Sequence, residues 1–323
     1  MPDTVEVSAS PVETVPAEPP RTIAILGEIP FSGAALTRVL LAKGFSVRVL
    51  CPDNRAVEAL PKLSDPSDTA TLEVIHGSLD SPEIIEQVLR GTFGAAFTSP
   101  ITLNGRMYRA NEHLEDVRRV VEAVRKSELK RFVYHSNLSA NPASPSRALS
   151  HAAEAEGVVS SLKCNVFRVR SSLLMGRGDE FLSELAEKAR ASTFVMGIWG
   201  YGGTMIQPMY VDDMARCVLA VFEKSSVAPG VVNVAGPEIT TPLELVDSIL
   251  HSLGKIKVKL HAPLFMLKLF TMLGTSADFK EEVNLLLEVF CTDQNDTVKL
   301  LGSTCQLVTP RQSQEEIMSG TCC

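Results

Sequence analysis

The chain has no basic surplus. Across 323 residues, 31 Lys and Arg face 38 Asp and Glu, a formal net charge of −7. No cationic stripe is available to neutralise phosphates, which excludes a general role in binding nucleic acid. Paired cysteines are missing as well. Cys51, Cys164, Cys217, Cys291, Cys305, Cys322 and Cys323 show neither CxxC pairing nor the Cys/His spacing of a zinc site, so no metal is expected. Their odd number points to free thiols in a reducing compartment. Cys322 and Cys323 do not make a prenylation box, whose cysteine stands four from the end. No uninterrupted apolar stretch approaches the ~20 residues of a membrane span. The first residues hold Pro2, Pro11, Pro16, Pro19 and Pro20 with Asp3, Glu6, Glu13 and Glu18, and no Lys or Arg precedes Arg21. Such a composition buries no apolar face and predicts a disordered acidic, Pro-rich tail over 1–20. It has neither the apolar run of a signal peptide nor the Arg-rich pattern of a mitochondrial presequence.

What is present starts at Thr22. A short apolar run predicts a buried strand over Thr22–Leu26, and further strands are expected over Ser46–Cys51, Leu72–His76, Ala95–Thr98, Arg131–His135, Cys164–Arg170 and Val231–Ala235. Helical patterns fall between most of them: Ala34–Leu41 closed by Gly44, then Pro82–Arg90, Glu112–Lys126, Ala148–Ser161 and Asp213–Glu223. Strands alternating with helices predict an α/β fold, a doubly wound parallel sheet of the Rossmann type, with a smaller and mostly helical C-terminal lobe. The expected division is a tail over 1–20, a dinucleotide-binding domain over 21–236 and a C-terminal lobe over 237–323, with 176–204 assigned to that lobe.

The first chemistry lies in Gly27-Glu28-Ile29-Pro30-Phe31-Ser32-Gly33. A pyrophosphate needs a tight turn and a helix N-terminus whose free N–H groups face it. Gly27 and Gly33 have the spacing, but Pro30 takes the middle position, where glycine is usual, and removes a donor. The candidate cradle is Gly27, Ile29, Pro30, Phe31 and Gly33. At the end of the second strand, an acid would accept from a ribose hydroxyl and an arginine would receive a 2′-phosphate. Asp53 is the acid candidate, and Arg48 and Arg55 are the basic ones. The alternative for Asp53-Asn54 is a turn or helix cap.

Arg131-Phe132-Val133-Tyr134-His135-Ser136-Asn137-Leu138-Ser139-Ala140-Asn141 resembles the fifth strand and active-site loop of the atypical short-chain dehydrogenase/reductase family. Within that family the chain resembles the nucleotide-binding accessory subunits of mitochondrial respiratory complex I. The likeness continues through Ser146-Arg147, Gly176-Arg177, Asp179, Phe181-Leu182, Gln207 to Asp213, Val234 to Pro237 and Pro242-Leu243. The resemblance implies a structurally held NADP(H), other complex I subunits as partners, peripheral contact with the membrane, and a place on the matrix side of the mitochondrial inner membrane. It also implies that Ser136 stands where the family keeps its active-site serine, with a loop-capping hydroxyl as the alternative. Arg168, Arg170 and Arg177 would then flank the nucleotide edge, and Arg170 joins Ser136 as a candidate contact.

Enzymes of that superfamily carry a Tyr-x-x-x-Lys pair on one helix face, the Tyr as acid/base and the Lys lowering its pKa. Aligning the helix on Ser146-Arg147 and Glu156 puts the pair at Ala148 and Ala152, and neither methyl group moves a proton. His151 lies about 100° around the helix from Ala152; an alignment slipped by one residue gives Arg147 and His151 and still no Tyr. No catalytic residue is expected, and the chain reads as a pseudoenzyme subunit. The alternatives are a free-standing oxidoreductase with unorthodox acid/base groups and a soluble NAD(P)H-sensing regulator of the NmrA kind.

Thr241-Pro242-Leu243-Glu244 signals a helix start with a capping box. Downstream, Pro263 to Leu273 is apolar almost all round, broken by Lys268. It reads as a core helix, or as an anchor on a partner subunit or membrane surface.

Overall fold

A computed structural model describes residues 21–62, 70–100, 112–176, 202–263, 276–285 and 288–318, with shorter stretches at 178–179, 186–187, 189–191, 195–199, 265–267 and 269. Seven strands form one parallel sheet: β1 (Thr22–Gly27), β2 (Ser46–Cys51), β3 (Leu72–His76), β4 (Gly94–Thr98), β5 (Arg131–Asn137), β6 (Asn165–Ser171) and, late in the chain, β10 (Gly230–Val234). The spatial order β10-β6-β5-β4-β1-β2-β3 reverses between β1 and β4. That switch point, at the carboxyl ends of the two strands, is where open α/β sheets hold ligands.

Helices α1 (Ala34–Ala42) and α6 (Val211–Glu223) cover one face, and their apolar residues share a core with Ile23, Ile25, Val47, Val49 and Val133. On the other face α3 (Pro82–Leu89), α4 (His113–Arg125) and α5 (Arg147–Val159) bury Leu26, Phe97, Phe132 and Tyr134. The helix starts follow local chemistry. Asp53 caps the short α2 (Asn54–Glu58), and the hydroxyls of Ser81 and Ser146 cap α3 and α5. Thr241 and Glu244 close the expected capping box at the head of α7 (Pro242–Ser252).

The remaining elements are short or paired at long range. Strand β7 (Leu174–Met175) runs beside β9 (Met209–Tyr210), and β8 (Val195–Trp199) beside β11 (Val258–Ala262). Helices α8 (Ala277–Leu285) and α10 (Pro310–Met318) follow. Between them α9 (Thr297–Leu301) returns to the large sheet, where Asp296 N donates to Asn233 O at 2.8 Å and Leu300 joins the main core.

Each expected strand of the large sheet is present within a residue or two of its bounds, and so are the five expected helices. The turn after β1 differs: Ile29–Gly33 forms a π-helical turn leading directly into α1. The expectations for the tail over 1–20 and for Arg177, Phe181-Leu182, Lys268, Phe270, Cys322 and Cys323 lie outside the described residues. The described cysteines, Cys51, Cys164, Cys217, Cys291 and Cys305, are free thiols.

Candidate functional site

At the switch point the chain leaves β1 through Gly27, whose φ is +96° and whose missing Cβ would stand 2.3 Å from Thr98 O. Only glycine fits that approach. Glu28 N donates to Thr98 O at 2.8 Å, and the Thr98 hydroxyl donates back to Glu28 O at 2.5 Å. The Glu28 side chain then folds over the start of the helical turn. Phe31 N donates to its Oε1 at 2.6 Å, while Ser32 N and Ser32 Oγ donate to its Oε2 at 2.7 and 2.6 Å. Gly33 lets Glu28 O come close, since a Cβ there would lie 2.6 Å from that oxygen. Burial pushes the Glu28 carboxyl above the usual carboxylate range, against the pull of these hydrogen bonds. Whatever its protonation state, its two oxygens occupy the Phe31 and Ser32 amides.

The expected cradle residues are therefore placed, but not as a cradle. Ile29 and Phe31 are buried in the main core, and Pro30 sits inside the turn. The residues present do not fit a pyrophosphate, because the N–H groups that would receive it already donate to Glu28. The ribose candidates stand apart. Asp53 accepts from Ala56 N at 2.8 Å as a helix cap, the alternative weighed for it, and Arg55 lies exposed on α2. Arg48 reaches the opposite way, pairing with Glu73 at 2.6 Å and donating to Arg90 O at 2.7 Å.

Ser136 and Arg170 are brought together, across neighbouring positions of β5 and β6. The Ser136 hydroxyl donates to Glu156 Oε1 at 2.6 Å, and Arg170 donates to the same carboxylate through Nε at 2.8 Å and Nη2 at 2.6 Å. Ser136 is fully buried, so it meets Glu156 rather than a ligand. The carboxylate in turn raises the Arg170 pKa above its ordinary value. Next to Ser136, the buried His135 pairs its Nε2 with Ser171 Oγ at 2.8 Å, and burial lowers its pKa to about 4. On the other face Tyr134 is buried core, its hydroxyl 2.7 Å from His113 Nε2. Burial, reinforced by the charge of His151, lowers the His113 pKa to about 3.

The edge of α5 where the resemblance puts the Tyr and Lys is closed. Ala148 and Ala152 are 1% and 0% exposed, packed with Leu149, Leu173, Ile206, Leu245, Leu285 and Phe290. Glu281 of α8 covers the helix start: its Oε1 accepts from Ser146 Oγ at 2.5 Å and Ala148 N at 3.0 Å, and its Oε2 from Arg147 N at 2.9 Å. Phe290 O accepts from Ser172 Oγ at 2.7 Å and Gln207 N at 3.0 Å, holding Phe290 in the same cluster. Sequence reasoning gave no acceptor role to the three carboxylates, Glu28, Glu156 and Glu281. Only Glu28 carried a local signal, as an acid directly after the first glycine, one turn ahead of free helix amides.

The NmrA-like family profile matches residues 19–299. The chain is similar to NADH dehydrogenase (ubiquinone) 1 alpha subcomplex subunit 9, mitochondrial, of Arabidopsis thaliana: 29% identical over 156 residues, 46% of this chain and 38% of the relative. With the protein of the same name from Dictyostelium discoideum it shares 24% identity over 245 residues, 74% of this chain and 65% of that one. The chain thus matches less than two thirds of the length of these relatives. Among solved structures, UDP-glucuronic acid 4-epimerase from Bacillus cereus, in complex with UDP-glucuronic acid and NAD, superposes with a TM-score of 0.69 at 14% identity. It covers 91% of this chain and 96% of its own, a likeness of fold.

Two outcomes are expected. Arg170→Ala leaves the Glu156 carboxylate buried without its cation and lowers unfolding free energy by about 3–5 kcal/mol, measured by urea denaturation. His135 is neutral in the fold and has an ordinary pKa near 6.5 when unfolded, so the unfolded chain binds more protons between pH 6.5 and about 4. Its contribution is complete above pH 6.5 and falls by on the order of 3 kcal/mol as pH drops through that window. His135→Gln should flatten this part of the stability profile; an unchanged slope would show that the proton is taken up elsewhere.

Proposed function

Since the chain belongs to the NmrA-like family, we propose that it is a non-catalytic member acting as an accessory subunit of complex I, NADH:ubiquinone oxidoreductase, on the matrix side of the mitochondrial inner membrane. There it supports assembly and stability of the peripheral arm. The observation that carries the non-catalytic half is the state of α5: Ala148 and Ala152 face an apolar cluster, and Glu281 covers the helix start. No group at either position exchanges a proton with a substrate. The complex I half rests on relatives that bear that name and come from mitochondria. A structural NADP(H) does not enter the proposal, because the turn that would hold it is taken by Glu28.

The second reading, a free-standing regulator, draws on the same family membership. Native gel migration separates the two: the subunit runs with a very large assembly and the regulator does not.

The C-terminal lobe offers a docking surface. Phe265 is 71% exposed and Leu269 53%, and Ile256, Val258, Leu260 and Met266 are exposed beside them in the chain. Such side chains gain ~1.5–3 kcal/mol each when fully covered, and we place the contact with neighbouring subunits here. Leu267, in the same stretch, is only 2% exposed and belongs to the lobe's interior. The run is thus core on one side and open on the other. Among the described residues no helix is long and apolar enough to cross a membrane.

Phe265→Asp with Leu269→Asp should leave a soluble, folded chain that no longer comigrates with the assembly, whereas Leu267→Asp should unfold the lobe. A double variant that still assembles would remove this surface from the interface. Separately, purified chain should show no NAD(P)H-dependent turnover of carbonyl substrates. Steady turnover that survives repurification and disappears with Ser136→Ala would overturn the non-catalytic reading.

A further inference from the structure

The loop between β1 and α1 keeps the two glycines of a dinucleotide turn, yet each glycine is accounted for by contacts the chain makes with itself. Gly27 clears Thr98 O, and Gly33 clears Glu28 O. The two amides at the head of the turn, Phe31 N and Ser32 N, point at the Glu28 carboxylate at 2.6 and 2.7 Å, and the Ser32 hydroxyl adds a third donor at 2.6 Å. A group with two oxygens on converging backbone amides at a helix start is what a phosphate presents at this place in a Rossmann sheet. Glu28 is also fixed from behind through its own N–H and C=O, both bonded to Thr98. Over the turn lies Gly178, close enough that a Cβ there would touch Phe31 Cδ2 at 3.4 Å and Pro30 O at 3.7 Å.

We infer that the Glu28 carboxylate is an internal substitute for a dinucleotide's pyrophosphate. It satisfies the amides that a bound cofactor would otherwise satisfy and closes the turn against NAD(P)(H). A pyrophosphate entering the site must first displace Glu28, and it gains only what the carboxylate gives up. Replacing Glu28 with a residue that has no acceptor returns the amides to solvent and reopens the site to a diphosphate. This inference reaches past the subunit reading and does not rest on it, because it concerns the isolated chain.

The test compares wild type with Glu28→Ala, both full length. NADH and NADPH are titrated by fluorescence, and inorganic pyrophosphate is added in thermal melts. Wild type should leave purification without nucleotide, by native mass spectrometry, and show no saturable binding up to about 1 mM. Glu28→Ala should bind at least about tenfold more tightly and gain melting temperature from pyrophosphate. Should the alanine chain not fold, Glu28→Gln replaces it, since a carboxamide has one acceptor oxygen where the carboxylate has two and leaves Ser32 N free. Stoichiometric nucleotide in purified wild type overturns the inference without recourse to any variant. So does a folded Glu28 variant that binds no better than wild type, which would place the closure in Pro30 or the Gly178 loop. Either result leaves the partnership with complex I to its own experiments.

Discussion

The bond between the Glu28 carboxylate and the amides of Phe31 and Ser32 sets the crossover from β1 to α1. The arrangement of the sheet's carboxyl edge depends on that crossover. A helix start leaves donors without intrahelical partners, and a buried start must find acceptors for them. In a cofactor-dependent Rossmann protein the ligand can be that acceptor, so the turn is completed only on binding. Here the acceptor is covalently part of the turn. The cost is a carboxyl group taken out of water, visible in its raised pKa. The return is a β1–α1 junction that is closed as soon as the sheet forms.

The same device recurs twice along that edge. Glu281 seats its carboxylate on the start of α5, and Glu156 receives Ser136 and both nitrogens of Arg170. Each carboxylate comes from this chain and accepts from polar groups near the carboxyl ends of the strands. Charge-assisted hydrogen bonds of this kind are roughly twice as strong as neutral ones and fix geometry closely. Together they convert a ligand-binding edge into a satisfied interior. Sealing with polar groups and sealing with apolar ones go together: Ala148 and Ala152 lie in the cluster that Leu245 and Phe290 complete.

The sheet was legible because its strands carry their own signal. A strand such as Thr22–Gly27, covered on both sides, carries an unbroken apolar run over Ile23–Leu26, and that run shows in one sequence. The pairs β7–β9 and β8–β11 were not legible, since each strand pairs only with a partner far along the chain. Helix starts were partly legible: Thr241 with Glu244 reads directly, and Asp53 reads as a cap as readily as it reads as a ribose contact. At the site the residue types were noticed and their partners were not. Ser136 and Arg170 read as contacts for a nucleotide, but what they contact is Glu156, 20 and 14 residues away in the chain respectively. No spacing rule connects those positions. Gly27 and Gly33 signal the turn after β1, whereas the acceptor for its amides stands one residue beyond the first glycine.

Closing the turn also bears on the core. Ile29 and Phe31 of that turn belong to the main core, and the carboxylate that accepts from Phe31 N leaves that core in place. What changes is which surface remains for contact with other molecules. With Leu285 and Phe290 packed against Ala148 and Ala152, the prominent exposed apolar side chains among the described residues include Ile256, Phe265 and Leu269. Side chains of that size gain free energy only when something covers them. The apolar side chains around Ala148 and Ala152 are already covered, whereas Phe265 and Leu269 leave apolar surface still to bury.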